Sequence, residues 1–297
     1  MKQLILISCI LAVAITTYAQ QSDFPKLSGP YLGQKPPGMI PELFAPEVMN
    51  SEVGYHSSII FSPDLTEAYW SPMARENILF YSRIVNGKWS GPAVLETGLK
   101  KGAHDATLSP DGNRLFFLSF ESDSPGGGER ERIWYSERVP GGWSDARLID
   151  KTVYDHPTHW TFSVASNGNL YFTSEKKKYE GVCLSRYDGK NYHTPEKLFE
   201  GSMPYIAPDE SYIIYVIKSE ETKTDLFIRF KKSDGSWTDA IDMGSKANSS
   251  AHDLAPYVSP DGRYLFFVSQ RERMNGIMWM STRIIEELRP DRETLNR

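Results

Sequence analysis

The sequence predicts an all-β chain: one β-propeller of four-stranded antiparallel blades, five in number with six as the alternative, closed by an N-terminal strand that completes the last blade. Three observations predict it. A Ser-Pro-Asp phrase recurs along the chain, an aromatic-rich strand follows each copy, and the strand missing from the last repeat turns up at the N-terminus. The phrase stands at Ser62-Pro63-Asp64, Ser109-Pro110-Asp111 and Ser259-Pro260-Asp261, with Ala207-Pro208-Asp209 a one-residue variant and Ala165-Ser166-Asn167-Gly168 a looser one. Successive copies, from Ser62 onward, are 47, 56, 42 and 52 residues apart, spacings that suit one propeller blade each.

The phrase is turn chemistry. Proline sets φ at the first turn position, Asp or Asn follows, and Gly112, Gly168 and Gly262 supply the positive φ that closes a tight hairpin. The strands after it run Glu67 to Ser71, Arg114 to Ser119, Asn169 to Ser174, Tyr212 to Ser219 and Tyr264 to Ser269. Runs such as Leu115-Phe116-Phe117-Leu118 and Leu265-Phe266-Phe267-Val268 are apolar on both faces, as a strand covered by sheets on each side must be. A polar loop and a further strand come next: Ile78 to Ile84, Arg132 to Val139, Val182 to Tyr187, Leu226 to Lys231 and Ile277 to Ile284. Four units then show an aromatic and a fourth strand, at Trp89, Trp143, Tyr192 and Trp237; recurrence at one repeat position predicts that these rings pack between blades.

The fifth unit lacks that strand. Ile40-Pro41-Glu42-Leu43-Phe44 parallels Thr194-Pro195-Glu196-Lys197-Leu198-Phe199, the fourth strand of the third unit. Its pairing with the last unit would close the ring and remove two exposed edges. The predicted organisation is a signal peptide over 1–19, an extended segment over 20–39, the propeller over 40–290 and a tail over 291–297.

The signal reading rests on Lys2, the apolar stretch Leu4 to Ile15, and Thr17 and Ala19 placed for cleavage before Gln20. The stretch is short for a transmembrane helix, which needs about 20 residues. Leu6-Ile7-Ser8-Cys9 matches a lipoprotein cleavage box in residue type but lies early, so cleavage after Ala19 is expected and the product is periplasmic or secreted. The mature chain then keeps one cysteine, Cys183, read as a buried small hydrophobe. With Lys+Arg 33 against Asp+Glu 38 and a net charge of −5, nucleic acid is not an expected partner.

At "SPDGNRLFFLS" and "SPDGRYLFFVS" the chain resembles the WD-repeat-like propeller family typified by the propeller of TolB, and "GPYLGQKPPGMIPELFAP" is similar to the opening of secreted bacterial propellers. The resemblance covers roughly residues 40 to 290. It implies a propeller, an exported location and contacts between proteins at the cell envelope, and it does not imply catalysis. Residues 20–39 alone separate the leader from the first strand, which predicts no counterpart of the additional N-terminal domain of TolB.

Residues just upstream of each Ser-Pro-Asp begin the innermost strand of a blade, so they converge on the channel mouth. His56, His104-Asp105, Asp155-His156 with His159, and His252-Asp253 fall there; the sixth histidine, His193, does not. Imidazoles and carboxylates gathered in this way could bind a divalent metal or serve as acid and base. Their structural alternative is hydrogen bonding to the neighbouring blade. Trp160 breaks the repeat pattern; it is the aromatic singled out for a ligand platform at the channel mouth, with core packing as the structural alternative.

Loops after the second strands open on the same face and carry Arg75-Glu76, an insert from Glu121 to Arg130, Glu175-Lys176, Glu220-Glu221, Arg271 and Arg273, mostly expected to be solvated. The ligand candidates are therefore His56, His104, Asp105, His159, Trp160, His252, Asp253 and Arg271. No nucleophile elbow, zincin motif or zinc-type cysteine pair is present. The predicted role is a non-catalytic propeller that binds a protein or glycan through one face. The alternative is an enzyme on carbohydrate or another small polar substrate, using the His/Asp mouth with or without a metal.

Overall fold

The computed structural model describes residues 24–49, 54–55, 57–73, 77–122, 128–220, 223–271 and 276–296. The signal segment with Cys9, His56, Arg75-Glu76, Glu221 and Arg273 lie outside the described residues. The remainder is a β-propeller of five four-stranded antiparallel blades.

Strand β1 (Glu42–Leu43) comes first in the chain and belongs to the last blade. Blade 1 consists of β2 (Ile60–Phe61), β3 (Glu67–Trp70), β4 (Phe80–Val85) and two short outer pieces, β5 (Lys88–Trp89) and β6 (Ala93–Val94), both paired with β4. Blade 2 holds β7 (His104–Leu108), β8 (Arg114–Ser122) and β9 (Glu129–Val139), with β10 (Gly142–Trp143) and β11 (Arg147–Leu148) both on β9. After helix α1 (Lys151–Tyr154), blade 3 follows as β12 (Ser163–Val164), β13 (Leu170–Ser174), β14 (Gly181–Ser185) and β15 (Glu196–Phe199). Blade 4 is β16 (Ser202–Ile206), β17 (Tyr212–Glu220), β18 (Lys223–Phe230) and β19 (Ile241–Asp242). Blade 5 is β20 (Asp253–Val258), β21 (Tyr264–Ser269), β22 (Gly276–Ser281) and, at its outer edge, β1.

The ring closes as expected. Leu43 stands opposite Met278 and Glu42 opposite Trp279, and the amide of Phe44 donates to the Ile277 carbonyl at 2.8 Å. The Phe44 ring is buried among Phe61, Phe266 and Trp279, with centroids 6.0, 5.2 and 5.1 Å away. Tyr31 and Leu32 are also buried, and Tyr31 packs edge-on to Phe61 of blade 1 at 5.2 Å and Tyr264 of blade 5 at 5.1 Å. The segment ahead of β1 is thus a wedge in the seam between the last blade and the first.

Two element bounds differ from the sequence expectation. The third strand of blade 5 ends at Ser281, and Arg283–Leu288 form helix α2, followed by α3 (Arg292–Leu295). Ile284, Ile285 and Leu288 share one helical face, which lays two buried isoleucines on the core. The insert expected over Glu121 to Arg130 is partly strand, because β8 and β9 continue past the sheet with Glu121 opposite Arg130 and Phe120 opposite Glu131.

All inner strands start at one end of the axis and run to the Ser-Pro-Asp turns at the other. Tyr205 and Tyr257, 5.9 Å apart, fill the axis, leaving a recess of about 280 Å³ at the turn end lined by Pro63, Pro110, Pro208 and Pro260. The recurring aromatics seal seams: Trp143 donates to the Tyr69 hydroxyl of blade 1 at 3.0 Å, and Trp89 donates to the Gly29 carbonyl of the wedge at 2.7 Å. Tyr192 joins the blade 2–3 core and Trp237 packs on the blade 3–4 core.

Candidate functional site

The mouth is built on a bulge. Strands β7, β16 and β20 each lose register beside a residue of positive φ: Asp105 (48°), Met203 (52°) and Ala255 (49°). Each stands four residues before the Ser or Ala of its turn phrase. A left-handed non-glycine residue costs about 1–2 kcal/mol, and at Asp105 and Met203 contacts with the preceding blade offset it. The Asp105 amide donates to Ser71 Oγ of blade 1 at 3.1 Å, and the Met203 amide to Thr173 Oγ1 of blade 3 at 2.9 Å. Bulges of this kind re-aim side chains at the ends of strands.

At seam 2–3 the re-aimed groups meet. His104 is buried, opposite Leu118, and its ring stacks on Phe120 at 5.8 Å. Its Nε2 lies 3.1 Å from Glu131 Oε1, while Nδ1 of His159, on the loop of blade 3, lies 2.8 Å from Glu131 Oε2. One buried carboxylate therefore joins an inner strand, its own third strand and the next blade. The His159 side chain stays 41% exposed, and its ring rests on Trp160 at 4.2 Å. Trp160, with φ 67°, is half-buried against the core that blades 4, 5 and 1 share.

Electrostatics follow the geometry. Burial pushes the Glu131 carboxyl up, but the bonds from both imidazoles outweigh it and bring its pKa down to about 2. For His104 burial opposes protonation, and the bond to Glu131 with the charges of Asp105 and Glu131 overcomes it, raising the pKa. For His159 the bond to Glu131 leads, and its pKa also rises. The three groups form a charged bridge whose carboxylate oxygens already accept imidazole protons.

His252 and Asp253 lie elsewhere. His252 Nδ1 is 2.9 Å from Thr224 Oγ1 of blade 4. Asp253 is fully buried and accepts from the Ser249 amide (2.6 Å), Ser249 Oγ (2.8 Å) and Arg271 Nη2 (3.0 Å). Arg271 also donates to Ser269 Oγ and the Ala247 carbonyl, so it clamps a loop and is not a solvated tip. The two His-Asp pairs look alike in sequence but differ in register by two residues: His104 pairs with Leu118, whereas it is Asp253 that pairs with Ser269. His156 turns into blade 3, against Tyr179 at 4.6 Å, and burial lowers its pKa.

The structure thus joins His104, His159 and Trp160, with Asp105 beside them, and sets His252, Asp253 and Arg271 apart. Glu131 is the residue the sequence reading missed; the alternating Glu129-Arg130-Glu131-Arg132 ahead of an apolar run carried the signal of a strand continuing past the sheet. Among the described residues no three His, Cys, Asp or Glu side chains are grouped to hold a metal ion.

No family model and no curated protein matches the chain. Its fold is similar to that of solved β-propellers. A protein provisionally assigned as TolB from Agrobacterium tumefaciens superposes with a TM-score of 0.50 at 18% identity, over 72% of this chain and 69% of that one. TolB from Acinetobacter baumannii gives 0.48 at 14%, over 76% and 54%. An α-L-arabinofuranosidase from Lactobacillus brevis gives 0.49 at 12%, over 80% and 93%. The resemblance to TolB-like propellers therefore stands at the level of the fold, and fold alone does not carry function.

Proposed function

We propose that the chain is an exported, non-catalytic binding propeller that engages a protein or glycan of the cell envelope at the mouth where its inner strands begin. One observation carries the reading: the polar groups gathered there are spent on one another. Glu131 takes both imidazoles, and Asp253 takes Ser249 and Arg271. What remains for a partner is a surface, the exposed edge of His159 beside Trp160. A half-buried aromatic next to a paired charge is the kind of anchor that binding sites use.

The test is retention of envelope protein and saccharide fractions on the immobilised chain. Wild type retains a saturable ligand, and Trp160→Ala, assayed at a temperature where circular dichroism shows it folded, weakens retention about tenfold. Equal retention by the variant removes the mouth as the contact.

One feature favours an enzyme as the second reading. His159 is half-exposed, oriented by a carboxylate and raised in pKa, which is how a general acid is held. Turnover on a panel of glycosides and lactones that His159→Ala abolishes would establish it.

A further inference from the structure

At the opposite, turn end of the molecule, seams 1–2 and 3–4 are each pinned by a glutamate that accepts hydrogen bonds from the neighbouring blade. In seam 1–2 Glu67 receives Arg138 through two bonds of 2.9 and 2.7 Å, and the guanidinium lies on Trp143 at 3.9 Å. In seam 3–4 Glu210 accepts Asn169 (2.8 Å), Tyr171 (2.7 Å) and Lys231 (2.9 Å). Seam 2–3 has Arg114 where seam 1–2 has Glu67, each five residues after the Ser of its turn phrase. The side chain that reaches Arg114 across the seam is Tyr187. Their only bond is a long one of 3.4 Å, and the guanidinium sits 5.7 Å from the rings of both Tyr135 and Tyr187. Among the described residues no glutamate bridges the turn end of seam 2–3 in this way, and a groove of about 770 Å³ lies there, inside the range of small-ligand sites.

Its lining defines the ligand. Asp111, Asn113, Arg114, Glu137, Asn167 and Tyr187 face it. Glu137 stands between Arg114 at 3.7 Å and Arg147 at 3.3 Å, and Arg138 is matched by Glu67, so charge is close to balance. An anion would meet Asp111 and Glu137, and a cation would meet Arg114. Planar amides, a guanidinium, carboxylates and a phenol offer donors and acceptors side by side, which suits groups that both donate and accept. Hydroxyls arrayed on a neutral frame answer to that. We infer that the seam 2–3 groove is a binding site for a neutral oligosaccharide, separate from the mouth.

The test is calorimetric titration of the full chain with neutral gluco-, manno-, galacto-, xylo- and arabino-oligosaccharides and with oligouronates. A neutral member binds, Asn113→Ala and Tyr187→Phe each weaken it by about threefold or more at unchanged melting temperature, and oligouronates bind less well. No neutral member binding at ~10 mM, binding indifferent to both variants, or stronger binding of a uronate overturns the inference. Because Trp160 lies at the other end, loss of either site leaves the other measurable.

Discussion

Leu43 faces Met278 across the outermost pair of the last blade, joining the first strand of the described chain to the last. The hydrogen bond from the Phe44 amide to Ile277 makes 44–277 the bonded pair and 43–278 the non-bonded one, in which Cα atoms approach to about 4.5 Å. That distance lies inside the window for a disulfide. The double variant Leu43→Cys, Met278→Cys is expected to oxidise in air while folded and to raise the melting temperature, reversibly with reductant. Oxidation only after denaturant is added would mean the ring is not closed there.

The hairpin glycines should rank by what surrounds them. Gly262 has φ 73° and nothing within 4 Å of an added Cβ, so Gly262→Ala costs the conformational strain of about 1–2 kcal/mol. At Gly168, φ 87°, the added carbon would lie 2.5 Å from Tyr187 Cδ1, and the ring of a neighbouring turn must move. Urea unfolding should find Gly168→Ala the more destabilising; the reverse order would contradict the packing of Tyr187.

Cys183 is buried in β14, donates to the Tyr179 carbonyl at 3.2 Å, and burial pushes its thiol up to about 12. Only a thiolate alkylates quickly. Mass spectrometry after iodoacetamide treatment near pH 8 should find Cys183 unmodified in the folded chain and modified in urea. Labelling at equal rates in both states would refute its burial.

The contrast between these elements explains what was legible. Turn phrases and apolar strands depend on a few adjacent residues, so five blades could be read from Pro, Asp and Gly placement, and the Leu43 strand from its likeness to the segment ending at Phe199. The mouth depends on register. A bulge between His104 and Thr107 and a two-residue offset at His252 decide which side chains meet; the offset shows in the spacing to Ser109 and Ser259, whereas the bulge leaves no local mark. Glu131 was hidden because it lies in a strand that outgrows its blade, where charges on a protruding hairpin resemble a solvated loop. Arg271 was singled out as a ligand candidate, but its clamping role was hidden by the same ambiguity, since a loop arginine and a loop clamp have identical neighbours in sequence.

Glu131→Gln leaves two imidazoles around a neutral amide and should destabilise the chain by about 3 kcal/mol, the cost of breaking a buried pair. The pH dependence has two limbs. Glu131, lowered, contributes stability above the ordinary carboxylate value of 4.5 and loses it as pH falls toward about 2. His104 and His159, raised, contribute below the ordinary 6.5 and lose that contribution as pH climbs through their elevated values. Thermal unfolding across pH should show a maximum between roughly 4.5 and 6.5 for this seam, flattened on both sides in the variant. Parallel curves for the two proteins would show that Glu131 is not the linking charge.

The pairing of His104 and His159 through Glu131 is most directly seen by NMR titration of the two imidazoles, with and without an equivalent of Zn²⁺. Both should titrate above 6.5, drop on Glu131→Gln, and keep their shifts when the metal is added. Midpoints at or below 6.5, or a saturable metal-induced shift at His159, would show instead that the mouth offers its histidines outward to a ligand ion.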